Sequence, residues 1–226
     1  MCSDYNGLII CVLFSVIDYN SKVCYNKIMI IHVEKISELT GREYERLLQQ
    51  MPEERQQRVF RYVKEKDRIL SVLAFDLLIR TLKEAGFDAK VEFEHNVHGK
   101  PYFKDIPLYF SLSHTDGAVA VVISENEVGI DIQKTAESYQ KIAEKVCSER
   151  ELQVINESDE PEKVFTSLWA LKESYLKCTG TGINRNLKEI DFCDYTKRFE
   201  KYGHCFEIRH TDGYTVSISE RKEGKT

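Results

Sequence analysis

A carboxylate in the middle of a strand-like run is the first residue of this sequence that asks for an explanation. In Val128-Gly-Ile-Asp-Ile132 the residues Val128, Ile130 and Ile132 share one face, and Gly129, Asp131 and Gln133 share the other. Aspartate is a poor strand residue, and a buried carboxylate needs a partner. Gly129 permits close approach of another backbone or a ligand. Asp131 is either the solvent-facing residue of an edge strand or a functional acid. A second pattern lies in FTSLWALKESYLKC, Phe165 to Cys178, where Trp169, Glu173 and Lys177 fall on one i, i+4, i+8 row and Lys172 flanks it. Glu173 before Lys177 is also the favourable order for an ordinary surface ion pair. The chain's single tryptophan, one turn before the carboxylate, argues against a fully solvated row. A third group is Ser111-Leu-Ser-His114, at a strand end before an Asp-Gly turn, where scaffolds present functional groups. His114 alone reads equally as a structural or surface histidine. Upstream, Gly99-Lys100-Pro101 offers a cation on a constrained loop, suited to a phosphate.

The elements that must position these groups can be read around them. Thr40-Gly-Arg-Glu43 has the capping-box pattern and opens a helix ending near Met51. Pro52 suits the first position of the next helix, which carries Arg55, Arg58 and Arg61. A longer helix spans about Lys66 to Ala85, with Ile69, Leu73, Leu77 and Leu78 as its apolar stripe and Gly86 as its stop. Strands are expected over Lys90 to His95, Phe110 to His114, Ala118 to Ser124 and Val128 to Ile132, with hairpin turns at Asp116-Gly117 and Glu125-Asn126. Helices follow over Tyr139 to Val146, after the capping box Ser148-Glu-Arg-Glu151, and from Pro161 to Cys178 with Gly180 as stop. Alternating runs at Ile190 to Cys193, Cys205 to His210 and Tyr214 to Ser219 finish the chain. The mixture is α+β, without the strict β-α alternation of a parallel doubly wound sheet.

Composition narrows the class. The 226 residues carry 32 lysines and arginines against 37 aspartates and glutamates, a net charge of −5 that disfavours nucleic-acid binding by bulk charge. Seven scattered cysteines without a C-x-x-C pair indicate neither a disulfide framework nor a thiolate zinc site, and fit a reducing cytoplasm. The run Leu8 to Ile17 is too short to span a membrane, and no basic residue precedes it as in a secretory signal. Met29 opens the first strand-like segment, so residues 1–28 are expected to be either an upstream extension that is not native or an added strand or helix.

Gly99-Lys-Pro101, Ser111-Leu-Ser-His114, Val128-Gly-Ile-Asp131 and Trp169-Ala-Leu-Lys-Glu173-Ser-Tyr-Leu-Lys177, in this order, resemble the motifs of the 4′-phosphopantetheinyl transferases of the larger, surfactin-synthetase-activating type. The resemblance spans roughly Met29 to the C-terminus. It implies two similar α+β halves packed side by side, residues 29–124 and 125–226, with the active site in the cleft between them. It implies transfer of the 4′-phosphopantetheine arm of coenzyme A to a serine of an acyl- or peptidyl-carrier protein of fatty-acid or nonribosomal-peptide biosynthesis. Adenosine 3′,5′-bisphosphate is the product released. Mg²⁺ or Mn²⁺ would be held by Asp131 and Glu173, a hard cation on oxygen ligands. Gln133 stands where many members have a third carboxylate. Catalysis would rest on Asp131, Glu173 and Lys177, with Glu173 or a metal-held water as base. Lys177 and Lys172 would hold phosphate oxygens, and Lys100, Ser113 and His114 match positions that contact the nucleotide phosphates. For the 3′-phosphate the cluster Arg58, Arg61, Lys64, Lys66 and Arg68 offers cations, Arg61 foremost. Glu151 matches a recurring glutamate that its capping box also explains. The expected partners are coenzyme A and an apo-carrier protein, with no nucleic acid and no membrane, and the expected state is a cytoplasmic monomer. A coenzyme A- or carrier-binding module without catalysis, or a metal-dependent phosphodiesterase, are the alternatives.

Overall fold

Local signals start most helices where the sequence places them. The computed structural model describes residues 29–36, 39–87, 91–182 and 186–222, so the expected extension before Met29 lies outside the described residues. Thr40 caps α1 (Gly41–Gln50): its hydroxyl accepts from the Glu43 N–H, and the Glu43 carboxylate accepts from the Thr40 N–H. Pro52 stands one place before α2 (Glu53–Phe60) rather than inside it. The long α3 (Glu65–Glu84) buries Leu70, Ala74, Leu77, Leu78 and Leu82, and Gly86 beyond its end takes φ +89°.

Helix α3 covers one face of an antiparallel sheet in the order β1-β5-β4, built from β1 (Met29–Lys35), β4 (Tyr109–Thr115) and β5 (Ala118–Ser124). Every residue of β5 is buried because it is central and covered on both sides. Val119, Val121 and Ile123 meet α3, and Ala118, Ala120 and Val122 meet a second sheet. A small hairpin of β2 (Phe93–His95) and β3 (Pro101–Phe103) carries the Gly99-Lys100 turn, with Gly99 at φ +83°.

The second sheet runs β6-β9-β8-β7, from β6 (Val128–Lys134), β7 (Arg198–Lys201), β8 (His204–Thr211) and β9 (Tyr214–Arg221). The expected Glu125-Asn126 hairpin does not form. Both sides of β5 are already taken by β1 and β4, so the chain crosses to the second sheet, where β6 pairs with β9. Val128, Ile130, Ile132, Val216 and Ile218 pack against the first sheet in a dry layer. Helices α4 (Gln140–Val146), α5 (Glu149–Asn156, with the expected Ser148 capping box) and α6 (Pro161–Thr179, ended by Gly180 at φ +64°) complete this part. Ile190 to Cys193 is not a strand. The Ile190 carbonyl and Phe192 N–H are bonded to the Lys172 and Glu151 side chains instead of to a neighbouring strand.

Helix α6 lies against β6 and β9 with no side chain between it and Gly129. A Cβ on that glycine would stand 2.0 Å from the Ser174 carbonyl oxygen, so another residue would push the helix away. The edges of the two sheets meet at β4 and β6, joined by side chains rather than by a backbone ladder. The N–H groups of Ile130, Ile132 and Lys134 donate to the hydroxyls of Ser111 (3.1 Å), Ser113 (3.2 Å) and Thr115 (3.3 Å). Alternation puts all three hydroxyls on one face of β4, and those of Ser111 and Ser113 satisfy N–H groups of β6 that would otherwise be buried unpaired.

Candidate active site

A cleft of about 600 Å³ opens along this seam. One wall comes from α2, α3, the β2–β3 turn and β4; the other comes from β6 and α6. The row Trp169, Glu173 and Lys177 faces it together with Asp131 and Gln133, as the helical spacing and strand alternation require.

Asp131 is 1% exposed although β6 is the edge strand of its sheet, because β4 and α6 close over it. Its Oδ1 accepts from Lys177 Nζ (2.6 Å) and Ser113 Oγ (2.8 Å), and its Oδ2 accepts from Gln133 Nε2 (2.8 Å). The solvent-facing reading of this aspartate is thereby excluded. Glu173 is the opposite case: its buried Oε1 has no hydrogen-bond partner. Burial, and then the Asp131 carboxylate, push its carboxyl above the usual range, while Lys177 pulls the other way. A buried acceptor left open beside a second carboxylate suits a hard divalent cation that takes oxygen ligands, so the residues present fit Mg²⁺ or Mn²⁺. Gln133 presents its N–H to Asp131, and so props that carboxylate instead of adding charge.

On the other wall, His114 packs edge-on against Tyr62 at 5.9 Å. Burial, and then Lys177, hold its imidazole below the ordinary value, so it is neutral at pH 7 and offers one N–H. Lys100 lines the cleft, and its ammonium donates to the carbonyls of Cys178 (2.8 Å) and Val128 (3.3 Å). It thus ties the β2–β3 turn to the end of α6, a link that Asn96 extends by donating to the Gly180 carbonyl. Burial lowers the Lys100 pKa.

Two expected cleft residues, Lys172 and Arg61, lie elsewhere. Lys172 does not reach the cleft. It is fully buried on another face of α6, paired with Glu151 at 2.7 Å and bonded to the Leu187 and Ile190 carbonyls. Glu151, the recurring glutamate, is its partner there. Ser113 lines the cleft as expected, with its hydroxyl bonded to Asp131, Lys177 and the Ile132 N–H. Arg61 is exposed at the end of α2 and is not among the lining residues. Arg55 and Arg58 line the cleft instead, one helical turn apart on the same face. The sequence places Arg55 on this helix without a signal that marks it for a role. It is 9% exposed, lies over the Phe75 ring at 5.5 Å, and its Nε has no partner. Burial, and then Arg58, lower its guanidinium to about 10, so it stays charged at neutral pH. Arg68 is bonded through Nε to the Tyr62 carbonyl.

The profile of the 4′-phosphopantetheinyl transferase superfamily matches residues 127–219, from just before β6 into β9. A 4′-phosphopantetheinyl transferase, gsp, of Aneurinibacillus migulanus is 35% identical over 161 residues, 69% of this chain and 67% of that protein. A Bacillus subtilis 4′-phosphopantetheinyl transferase is 28% identical over 182 residues, 78% of each chain. An L-aminoadipate-semialdehyde dehydrogenase-phosphopantetheinyl transferase of Candida glabrata is 28% identical over 66% of this chain and 62% of that protein.

Proposed function

The chain belongs to the 4′-phosphopantetheinyl transferases, enzymes that move the 4′-phosphopantetheine arm of coenzyme A to a carrier-protein serine, and we propose how its own residues divide that work. The reading rests on one observation: the open, buried Oε1 of Glu173 beside Asp131, across the cleft from Arg55, Arg58 and His114. Asp131 and Glu173 would hold Mg²⁺ or Mn²⁺, which when bound neutralises charge on the coenzyme A pyrophosphate. Lys177 bridges Asp131 and the cleft, and supplies a cation to the phosphate that becomes the leaving group. Arg55 and Arg58 bind the 3′-phosphate, and neutral His114 donates its N–H to a phosphate oxygen. The carrier serine forms the new O–P bond while the pyrophosphate bridge breaks. The serine proton goes to Glu173, the carboxylate that faces the cleft. The nucleophile arrives with the partner, so the cleft needs no serine-histidine pair of its own.

Residues 29–124 and 125–226 each supply one wall, which supports a monomer in which one chain completes the site. Among the described residues no helix is long and apolar enough to cross a membrane. The reducing environment that suits scattered cysteines supports the cytoplasm. The chain's −5 charge argues against capture of an acidic carrier by global attraction, so docking falls to the cationic stretch around Arg58. The test is direct. Protein, coenzyme A, Mg²⁺ and an apo-carrier are incubated and the carrier is weighed; a gain of one phosphopantetheine arm is expected. Intact coenzyme A with an unmodified carrier would indicate a binding module. Hydrolysed coenzyme A with an unmodified carrier would indicate a diesterase.

A further inference from the structure

From the packing of α6 on the second sheet, and resting on the transferase reading above, we infer that Ser217 is a positioning residue that sets where Glu173 stands relative to Asp131. The two carboxylates come from a helix and a strand, so their separation depends on how α6 seats on β6 and β9. Ser217 lies directly opposite Asp131 in the β6–β9 register, and residues opposite each other in an antiparallel pair share one face of the sheet. Ser174 follows Glu173 on α6, so it lies about 100° further around the helix, turned from the cleft to the sheet. The two hydroxyls meet at 2.8 Å, and both residues are fully buried. Each hydroxyl has one proton to give. Ser174 donates its own to the Leu171 carbonyl at 3.0 Å, so the proton between the serines comes from Ser217. One bond therefore runs from the strand position beside Asp131 to the helix position beside Glu173. One turn on, Cys178 follows Lys177 in the same way and donates through Sγ to the Glu127 carbonyl at 3.2 Å. Glu173 and Lys177 thus each precede a residue bonded away from the cleft. Apolar packing is non-directional, whereas a hydrogen bond weakens steeply when its angle or length is wrong, so the Ser217 bond opposes sliding and rolling of α6. Ser217 itself is not among the residues that line the cleft. A hard cation with strict geometry is the sensitive reporter of the carboxylate spacing.

The test compares Ser217→Ala, Ser174→Ala, the double variant and Ser167→Ala. Each is measured in steady-state transfer to an apo-carrier, in Mn²⁺ titration with and without coenzyme A followed by electron paramagnetic resonance, and in urea unfolding. Ser167 is the control, a buried hydroxyl of the same helix whose bond goes to the Lys163 carbonyl and stays within α6. Loss of one neutral buried hydrogen bond predicts that Ser217→Ala lowers kcat by roughly 3- to 10-fold and weakens Mn²⁺ binding by a similar factor. The KM for coenzyme A should stay within about twofold. Ser174→Ala deletes the same bond from the other side and should match these losses. The double variant should lose no more than either single one, since all three lack one shared interaction. Ser167→Ala should change neither quantity. Retained kcat and Mn²⁺ affinity in Ser217→Ala, whatever its stability in urea, would make the bond purely structural and overturn the inference. Additive losses in the double variant would overturn it too, by showing two separate packing effects, and so would an equal loss in Ser167→Ala. If Ser217→Ala does not fold, Ser217→Cys, a poor donor of similar size, is measured in its place and judged by the same outcomes. A wild type that binds Mn²⁺ but transfers nothing would count against the transferase reading, while the Mn²⁺ titration would still decide the role of Ser217.

Discussion

Lys172 and Glu151 pair at 2.7 Å with neither side chain exposed, one residue along α6 from the cleft-facing Glu173. The ammonium also caps the Leu187 and Ile190 carbonyls, and Glu151 accepts from the Phe192 N–H, so the pair fastens the segment after α6 to the helix. Lys172→Met would strand a buried carboxylate and is expected to cost ~3–5 kcal/mol of stability. Urea unfolding measures this. A stable Lys172→Met protein with a high KM for coenzyme A would restore Lys172 as a phosphate ligand.

Arg55→Leu and Arg58→Ala should each raise the KM for coenzyme A by about tenfold, the value of one charge-assisted bond of ~1.5 kcal/mol. With 3′-dephospho-coenzyme A the same variants should differ little from wild type. Arg61→Ala, outside the cleft, should leave both constants unchanged.

Glu173→Gln removes the proton acceptor while keeping the shape of the side chain. Transfer should fall by ~10²–10⁴-fold with the fold intact by circular dichroism. Lys177→Ala should also lose transfer, by at least ~10-fold, since it frees Asp131 of its ion pair and the cleft of a cation. Near wild-type rates in both variants would remove Glu173 and Lys177 from the catalytic machinery.

Gln133→Glu places a third carboxylate beside Asp131 and removes the N–H that props it. Apparent Mg²⁺ affinity, read from the Mg²⁺ dependence of transfer, should hold or tighten. A large loss of activity in a folded variant would place Gln133 away from the metal.

His114 is held neutral, chiefly by burial and next by Lys177, so its folded pKa lies below the ordinary 6.5. The unfolded chain therefore takes up this proton first as pH falls. The stability tied to His114 is fully present above about 6.5 and is lost as pH falls from there through the lower folded pKa. Denaturation of His114→Gln against wild type between neutral and mildly acid pH should show the variant losing less stability. Parallel losses would show that the imidazole titrates alike in both states.

The sequence shows the catalytic wall more completely than the opposite one. Trp169, Glu173 and Lys177 lie on one row of one helix, and Asp131 and Gln133 alternate on one strand, so local periodicity alone brings them to common faces. Lys172 was separable on the same grounds: five residues before Lys177, it points about 140° away around the helix. The opposite wall depends on tertiary contacts that no local period encodes. Arg55 reads like any solvated arginine until Phe75 is packed beneath it. The Ser111, Ser113, Thr115 alternation is visible in the sequence, but its acceptor role depends on which strand edge arrives beside it. The missed crossing at Glu125-Asn126 has the same origin, because only the pairing of β1 with β5 denies β6 that place.

A backbone ladder is indifferent to residue identity, and it can slip by two positions while keeping its hydrogen bonds. The hydroxyl seam between β4 and β6 is less tolerant, since a slip by two would leave one of its three hydroxyls without its N–H. The spacing of the two walls is therefore heritable one codon at a time, apart from the continuity of either sheet.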